Sequence, residues 1–284
     1  MIDPTIRPFR SMLYVPGSNR RAIHKARHLP VDAIILDLED AVAPDAKAGA
    51  REAVLAALRD GGFGCRTVLV RINGIETEWG AQDRAAMRIA RPDGIVLPKV
   101  GGAEDCAEPN LPDDIPIWAM IETPAGVLGA AVVARAPRMA GLIVGTNDLA
   151  AAIGCEVGIE RMPLMMALQT CVMAARAAGL VCIDGVFNAV RDEEGIRAEC
   201  RQGRALGMDG KSLIHPAQIE IANATFAPTR IELELARRRI AAYEAALAER
   251  EGVALLDGVI VEQLHVDSAR RLLSLEAAIA AREP

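Results

Sequence analysis

A (β/α)8 barrel is the fold this sequence predicts, on three observations. Eight short apolar runs recur along the 284 residues, at 11–15, 33–38, 67–72, 94–98, 115–121, 141–145, 181–186 and 212–214. Most are continuously apolar rather than alternating, as parallel strands covered on both faces require. A helical pattern follows each run, and strand–helix alternation of this kind builds a parallel α/β sheet. Residues 45–58 place Ala50, Val54, Ala57 and Leu58 on one helical face, and residues 163–178 bring Leu164, Leu168, Cys171 and Ala175 into register. Pro44, Pro163 and Pro216 sit at helix starts, where a missing N–H costs little, and Gly179 and Gly207 sit at helix ends. A doubly wound open sheet is the competing arrangement; no Gly-x-Gly-x-x-Gly follows the first strand to support it.

The barrel is expected over residues 1–228, followed by a C-terminal helical extension over 229–284. In the extension, residues 231–250 carry Ile231, Leu235, Ile240, Tyr243 and Leu247, and residues 269–282 carry Leu272, Leu273 and Ile279. An apolar turn is expected between them, over 252–264. With the barrel already complete, this tail needs another surface, read as a barrel mouth of its own or a neighbouring subunit.

Composition narrows the function. The 32 Lys and Arg against 38 Asp and Glu leave a net charge of −6, against a non-specific nucleic-acid binder. Residues 1–10 contain no apolar core of a signal peptide, and uncharged stretches such as 125–134 fall far short of the ~18 residues of a membrane span. Six scattered cysteines with no Cys-x-x-Cys pair read as reduced thiols, so a cytoplasmic protein is expected.

In such a barrel the active site lies at the carboxyl ends of the strands. Reading those ends in order gives 16–19 (Pro-Gly-Ser-Asn), Glu39-Asp40, Arg71, Lys99, Glu122, Asn147-Asp148, Asp184 and His215. Charged groups directly after apolar runs are costly to bury unpaired, and their repetition at strand ends points to a functional site.

The same residues carry a resemblance. The run from Arg10 to Ser18 (RSMLYVPGS), then Asp37-Leu-Glu-Asp-Ala-Val42, Val70-Arg-Ile-Asn73, Leu97-Pro-Lys99, Ile121-Glu-Thr-Pro124, Gly145-Thr-Asn-Asp-Leu149, Ile214-His-Pro216 and the tail's Leu256-Asp-Gly258 resemble the citrate lyase β-subunit family, the CoA-ester lyase branch of the HpcH/HpaI aldolases. The resemblance implies a (β/α)8 barrel, Mg²⁺ with Mn²⁺ as an alternative, CoA thioesters of hydroxy-dicarboxylic acids as substrates, and a homotrimer or homohexamer.

Glu122 and Asp148 close adjacent strands and are the expected metal ligands. Two carboxylates with open positions suit Mg²⁺, and no Cys or His in these motifs favours zinc. The structural alternative is that both serve as helix caps. Arg71 could clamp a substrate carboxylate or oppose charge on an oxygen; alternatively it makes a structural salt bridge to Glu39 or Asp40, and both roles are compatible. Glu39 and Asp40 are read as catalytic supports that position Arg71 and a water. Ser18, Asn19 and Arg20 open a helix whose N–H groups could meet a phosphate, with Lys25 on that helix and Lys99 from strand four. The resemblance suggests CoA there; the alternative is a capped helix with a solvated basic face. It also implies that Thr146 and Asn147 join Arg71 and Glu122 in binding substrate. Glu262 stands where the family carries an acid/base Asp. His215 is read as shaping its loop, and Met162, Met165, Met166 and Met173 as packing.

The expected function is Mg²⁺-dependent C–C cleavage of a 3-hydroxy-dicarboxylic acyl-CoA (malyl-, methylmalyl- or citramalyl-CoA) to a 2-oxo acid and an acyl-CoA. Malyl-CoA thioester hydrolysis and a subunit acting only within a complex with an acyl carrier protein are the alternatives.

Overall fold

The computed structural model describes residues 7–107, 111, 114–158 and 160–282; of the N-terminal stretch considered for a leader, residues 1–6 lie outside them. The chain divides into two compact units, Phe9–Phe226 and Ala227–Pro284 with Met1–Pro8. In the first unit, strands β1 (Ser11–Pro16), β2 (Ala33–Asp37), β3 (Thr67–Arg71), β4 (Gly94–Leu97), β5 (Ile117–Ile121), β6 (Met139–Val144), β7 (Val181–Asp184) and β8 (Gly210–Leu213) form a closed barrel. Every pairing is parallel, and β8 closes on β1 through Ser11 opposite Lys211. Helices α1 (Arg20–Ala26), α2 (Lys47–Asp60), α3 (Gly80–Ala90), α4 (Pro124–Val133), α5 (Thr146–Ile153), α6 (Met165–Ala177), α7 (Glu193–Leu206) and α8 (Ile219–Phe226) lie between and after the strands.

The alternation is uneven in one place. Among its described residues, the β4–β5 connection holds a 3₁₀ turn, Ala103–Cys106, and no α-helix, whereas β6 is followed by both α5 and α6. Gly101 and Gly102 before that turn and Pro116 after it are poor helix formers. Pro44 and Pro216 each open a 3₁₀ turn that leads into a helix, Pro163 is the second residue of another, and Gly207 ends α7 in the left-handed conformation.

Side chains alternate across each strand, and the two faces bury separate cores. Met12, Ala33, Ile35, Leu69, Val96, Trp118, Met120, Ile143 and Ile183 fill the barrel interior. Leu13, Ile34, Leu36, Val70, Ile95, Ile117, Leu142 and Cys182 face the helices. The Trp118 indole fills the interior only because β6 offers it a glycine: a Cβ on Gly141 would sit 2.3 Å from the ring.

The same alternation corrects the reading of Asp184 as a cleft residue. Ile183 points inward, so Asp184 points outward, fully buried against Arg161 at 2.7 Å and Lys211 at 3.0 Å. Glu199 on α7 completes this cluster, 2.8 Å from the Lys211 ammonium. Burial disfavours the Asp184 charge, but the two cations outweigh it and hold the carboxyl below its usual value.

The second unit contains α9 (Arg230–Ala248), capped by Thr229 and Glu232, strands β9 (Ala254–Leu256) and β10 (Val259–Val261), and α10 (Gln263–Ala280). The expected apolar turn is an antiparallel ribbon, reversed at Asp257 and Gly258 with φ of +50° and +79°. Tyr243, Ala246, Ala254, Val261 and Val266 form its core. Leu255, Val259 and Ile260 point to solvent.

Gly141→Ala should therefore destabilise the barrel by about 1–3 kcal/mol through overpacking against Trp118, read as a lower thermal midpoint. An unchanged midpoint would show that the indole has room to move.

Candidate active site

A cleft of about 290 Å³ opens at the carboxyl ends of the strands, lined by Tyr14, Asp40, Arg71, Met120, Glu122 and Asp148, with Asp37, Thr146, Asn147 and Asn188 also on its wall. The parity that fills the barrel floor also aims this set: Tyr14 follows Met12, Asp37 follows Ile35, Arg71 follows Leu69, and Met120 and Glu122 follow Trp118 on the inward face.

Arg71 is held by a partner that the sequence reading passed over. Its Nε and Nη2 donate to Asp37 Oδ1 and Oδ2 at 2.7 and 2.6 Å, a bidentate pair with Asp37 fully buried. The same carboxylate accepts main-chain N–H groups from Glu39 and Ala41 at 2.9 and 3.0 Å, fixing the loop that carries Glu39 and Asp40. With the fork occupied, Nη1 is the edge left for other groups. It lies 2.9 Å from Glu39 Oε2 and 3.3 Å from Asp40 Oδ2, and the guanidinium stacks 4.9 Å from the centre of the Tyr14 ring. The salt bridge to Glu39 and Asp40 exists and is made by Nη1, the nitrogen nearest the cleft, while the fork that a substrate carboxylate would need is taken by Asp37.

Glu122 is buried, and only one of its oxygens is satisfied. Oε1 accepts from the Lys99 main-chain N–H at 2.7 Å; Oε2 has no hydrogen-bond partner. Burial pushes the carboxyl up to about 7, the Lys99 N–H opposes it, and the nearby Glu39 and Asp148 charges add to it. A buried orphan acceptor beside other carboxylates is a place for a cation. Asp148 is exposed in the first turn of α5 at the cleft wall. Among the described residues no group of three or more His, Cys, Asp or Glu could hold a metal ion, so an ion on Glu122 and Asp148 would complete its shell with water or substrate oxygens. That is the habit of Mg²⁺, and the residues present fit it.

The residues expected at CoA divide. Asn19 caps α1, accepting from the Ala22 N–H at 2.9 Å, as the structural alternative held. Ser18 and Arg20 are exposed beside it. Lys25 lines a smaller cleft with Ala22, Leu29 and Pro216 that shares Tyr14 and Ile214 with the main one. The Lys99 ammonium instead bonds Glu39 Oε1 at 3.0 Å. Asn147 exchanges hydrogen bonds with Asn188 at 3.2 and 2.9 Å, a second partner that the strand-end reading missed. His215 caps its own turn by accepting from Ala217 N–H at 3.2 Å. Glu262 belongs to the other unit, exposed at the start of α10.

Residues 10–216 match the HpcH/HpaI aldolase/citrate lyase family. The chain belongs to this family. Among its relatives within it, the chain is 53% identical to a (3S)-malyl-CoA thioesterase of Cereibacter sphaeroides over 96% of each chain. It is 35% identical to the citrate lyase subunit beta of Escherichia coli, over 93% of this chain and 92% of that one. Among solved structures, CitE of Mycobacterium tuberculosis in complex with magnesium, acetoacetate and coenzyme A superposes with a TM-score of 0.78 at 27% identity, covering 96% of this chain and 99% of that one. RipC of Yersinia pestis superposes at 0.69 with 31% identity, covering 81% and 98%. These family members share the expected barrel, and the chain is an enzyme of the CoA-ester lyase group. Among the described residues no helix is long and apolar enough to cross a membrane.

Glu122→Gln and Asp148→Asn should each weaken Mg²⁺ binding on the order of tenfold or more, measured by calorimetry on the substrate-free protein. Unchanged affinity in both variants would place the ion elsewhere.

Proposed function

We propose that this protein hydrolyses (3S)-malyl-CoA to malate and free CoA. The observation that carries this reading is the 53% identity, end to end, with a protein named for that activity. The cleft, about 290 Å³, has room for a four-carbon acid. The carrier would then extend past Tyr14 and Ile214 into the cleft lined by Lys25, with Ser18, Asn19 and Arg20 on the adjoining turn.

Glu122 and Asp148 would hold Mg²⁺, which supplies charge to orient the substrate's carboxylate and hydroxyl. Thr146 and Asn147, in the first turn of α5, line the same cleft and would contact the acid. Arg71 Nη1 opposes the negative charge that develops on the thioester oxygen. Its other nitrogens are locked to Asp37, so the donor is aimed in advance. Asp40, beside that nitrogen, takes a proton from the attacking water as the new C–O bond forms. The C–S bond then breaks, and Asp40 returns the proton to the departing thiolate.

A second reading, C–C cleavage, draws support from the E. coli citrate lyase subunit beta at 35% identity. Arg71 would then face an enolate oxygen, and Glu262 would move the second proton. One assay separates the two. Purified protein with Mg²⁺ and malyl-CoA should release malate and free CoA in equal amounts, with no 2-oxo acid. Formation of 2-oxo acid and acetyl-CoA would establish cleavage, and activity only with added partner proteins would establish a complex subunit. On the hydrolytic reading, Asp40→Asn should lower kcat by roughly 10²-fold or more, while Glu262→Gln should leave hydrolysis within twofold. A Glu262→Gln variant that loses turnover but still binds the CoA ester would instead place Glu262 in the chemistry.

We also propose a homotrimer or homohexamer, because Leu255, Val259 and Ile260 form an exposed apolar edge on the second unit. Light scattering at micromolar concentration should find no monomer; a monomer alone would refute it.

A further inference from the structure

Lys99 stands out on three observations. It is a non-glycine residue at φ +52°, in the left-handed region that side chains rarely adopt. Its main-chain N–H donates to Glu122 Oε1 at 2.7 Å. Its ammonium, on the same residue, bonds Glu39 Oε1 at 3.0 Å. Strain of this kind persists where the surroundings over-determine it, and it clusters at functional sites.

We propose that Lys99 is a positioning residue for the active site, acting through both ends at once, rather than a CoA ligand. The main chain does the first part. Glu122 sits at the end of an inward-facing row, buried and packed against Gly145. The Lys99 N–H holds Oε1 and leaves Oε2 unpartnered for the cation. The left-handed turn is what aims that N–H across from β4 to the residue after β5. The side chain does the second part. Lys99 Nζ holds Glu39 Oε1, and Glu39 Oε2 lies 2.9 Å from Arg71 Nη1, the one guanidinium nitrogen left over by Asp37, an ion pair that is not a hydrogen bond. A relay therefore runs from Lys99 through Glu39 to the nitrogen that faces the thioester oxygen. The two arms join the metal side of the cleft to the arginine side. The kinetic part of this inference rests on the proposed thioester reaction; the metal part does not.

The experiment uses the full chain. Lys99→Met keeps the N–H and removes the ammonium. It should lower kcat on malyl-CoA on the order of tenfold, the scale of a misaimed group, while KM, the dissociation constant of free CoA and Mg²⁺ affinity stay within twofold. Lys99→Arg should restore part of kcat. Added to Glu39→Gln, Lys99→Met should cost nothing further, since a residue acting through another shows full coupling with it. A rise in KM and in the CoA dissociation constant with kcat unchanged would overturn the proposal and make Lys99 a CoA ligand. Independent, additive losses with Glu39→Gln would overturn the relay.

The main-chain arm is read without turnover. Lys99→Gly keeps the N–H in a conformation glycine adopts freely and should bind Mg²⁺ like the parent. Lys99→Val, whose β-branch opposes that conformation, should bind it on the order of tenfold more weakly. Equal Mg²⁺ affinity in these two, with both folded by thermal melt, would overturn the main-chain arm. If Lys99→Val does not fold, a Lys99→Gly affinity that differs from the parent does the same. Failure of the parent to turn over malyl-CoA would sink the functional reading alone, because the Mg²⁺ titrations stand apart from it.

Discussion

A strand in a closed barrel has only two places to send a side chain, and this constraint organises the molecule. The outward row meets helices and can be aliphatic throughout. The inward row meets seven other strands, so it must be filled by side chains that fit each other. Met12, Leu69, Trp118 and Ile143 fill it here, and the indole is admitted by the missing Cβ of Gly141. Charge can enter that row only at its last step, where the strands give way to loops and solvent reaches in. Asp37, Arg71 and Glu122 occupy that step on β2, on β3 and just after β5. Their chemistry follows from their position: each is buried, so each must be paired or remain poised for a cation.

Asp37 is the pivot of that pairing. Its two oxygens accept four hydrogen bonds, two from the Arg71 fork and two from the loop that carries Glu39 and Asp40. Lys47 braces the loop from outside, donating to the carbonyls of Leu38 and Glu39 at 2.8 and 2.7 Å. One buried carboxylate thus sets both the arginine and the acidic loop opposite it. A buried pair of this kind adds little net stability over an apolar substitute, yet losing one partner strands a charge at a cost of about 3–5 kcal/mol. Its value here lies in orientation, since it commits two guanidinium nitrogens and leaves a third in a fixed direction.

Much of this was legible from the chain alone. Eight apolar runs placed the strands, and the charged residue after a run located Arg71 and Glu122. What the strand-end reading lacked was parity. Asp184 follows an apolar run as surely as Glu122 does, but Ile183 takes the inward position and Asp184 falls outside, against Arg161 and Lys211. Asp37 shares parity with Ala33 and Ile35, yet nothing in the local pattern of its motif singles it out. The reason is physical: strands covered on both faces are apolar in every position, which erases the period-two signal that would reveal direction. The contacts of Lys99 are illegible for another reason. They depend on a left-handed backbone and a partner 60 residues away, and neither leaves a trace in local pattern. The ribbon at Asp257-Gly258 did leave one, since Asp-Gly between apolar pairs is a hairpin signal.

Hydrolysis and C–C cleavage differ less in the groups they need than in where protons must go. Both require a donor aimed at a thioester or enolate oxygen, and Arg71 Nη1 serves either. Hydrolysis takes a proton from water and delivers it to a thiolate bonded to the same carbon, so one carboxylate beside that carbon can do both. Cleavage removes a proton from the hydroxyl on one carbon and adds one to the neighbouring carbon after the bond breaks, which asks for carriers at two positions. Among the carboxylates lining the cleft, Asp37 is consumed by Arg71, while Glu122 and Asp148 are the ones suited to a cation. Asp40 is left, more than half exposed and only loosely held by Arg71 at 3.3 Å. One free carrier suffices for hydrolysis. A cleaving enzyme built on the same barrel must bring a second from outside the cleft lining.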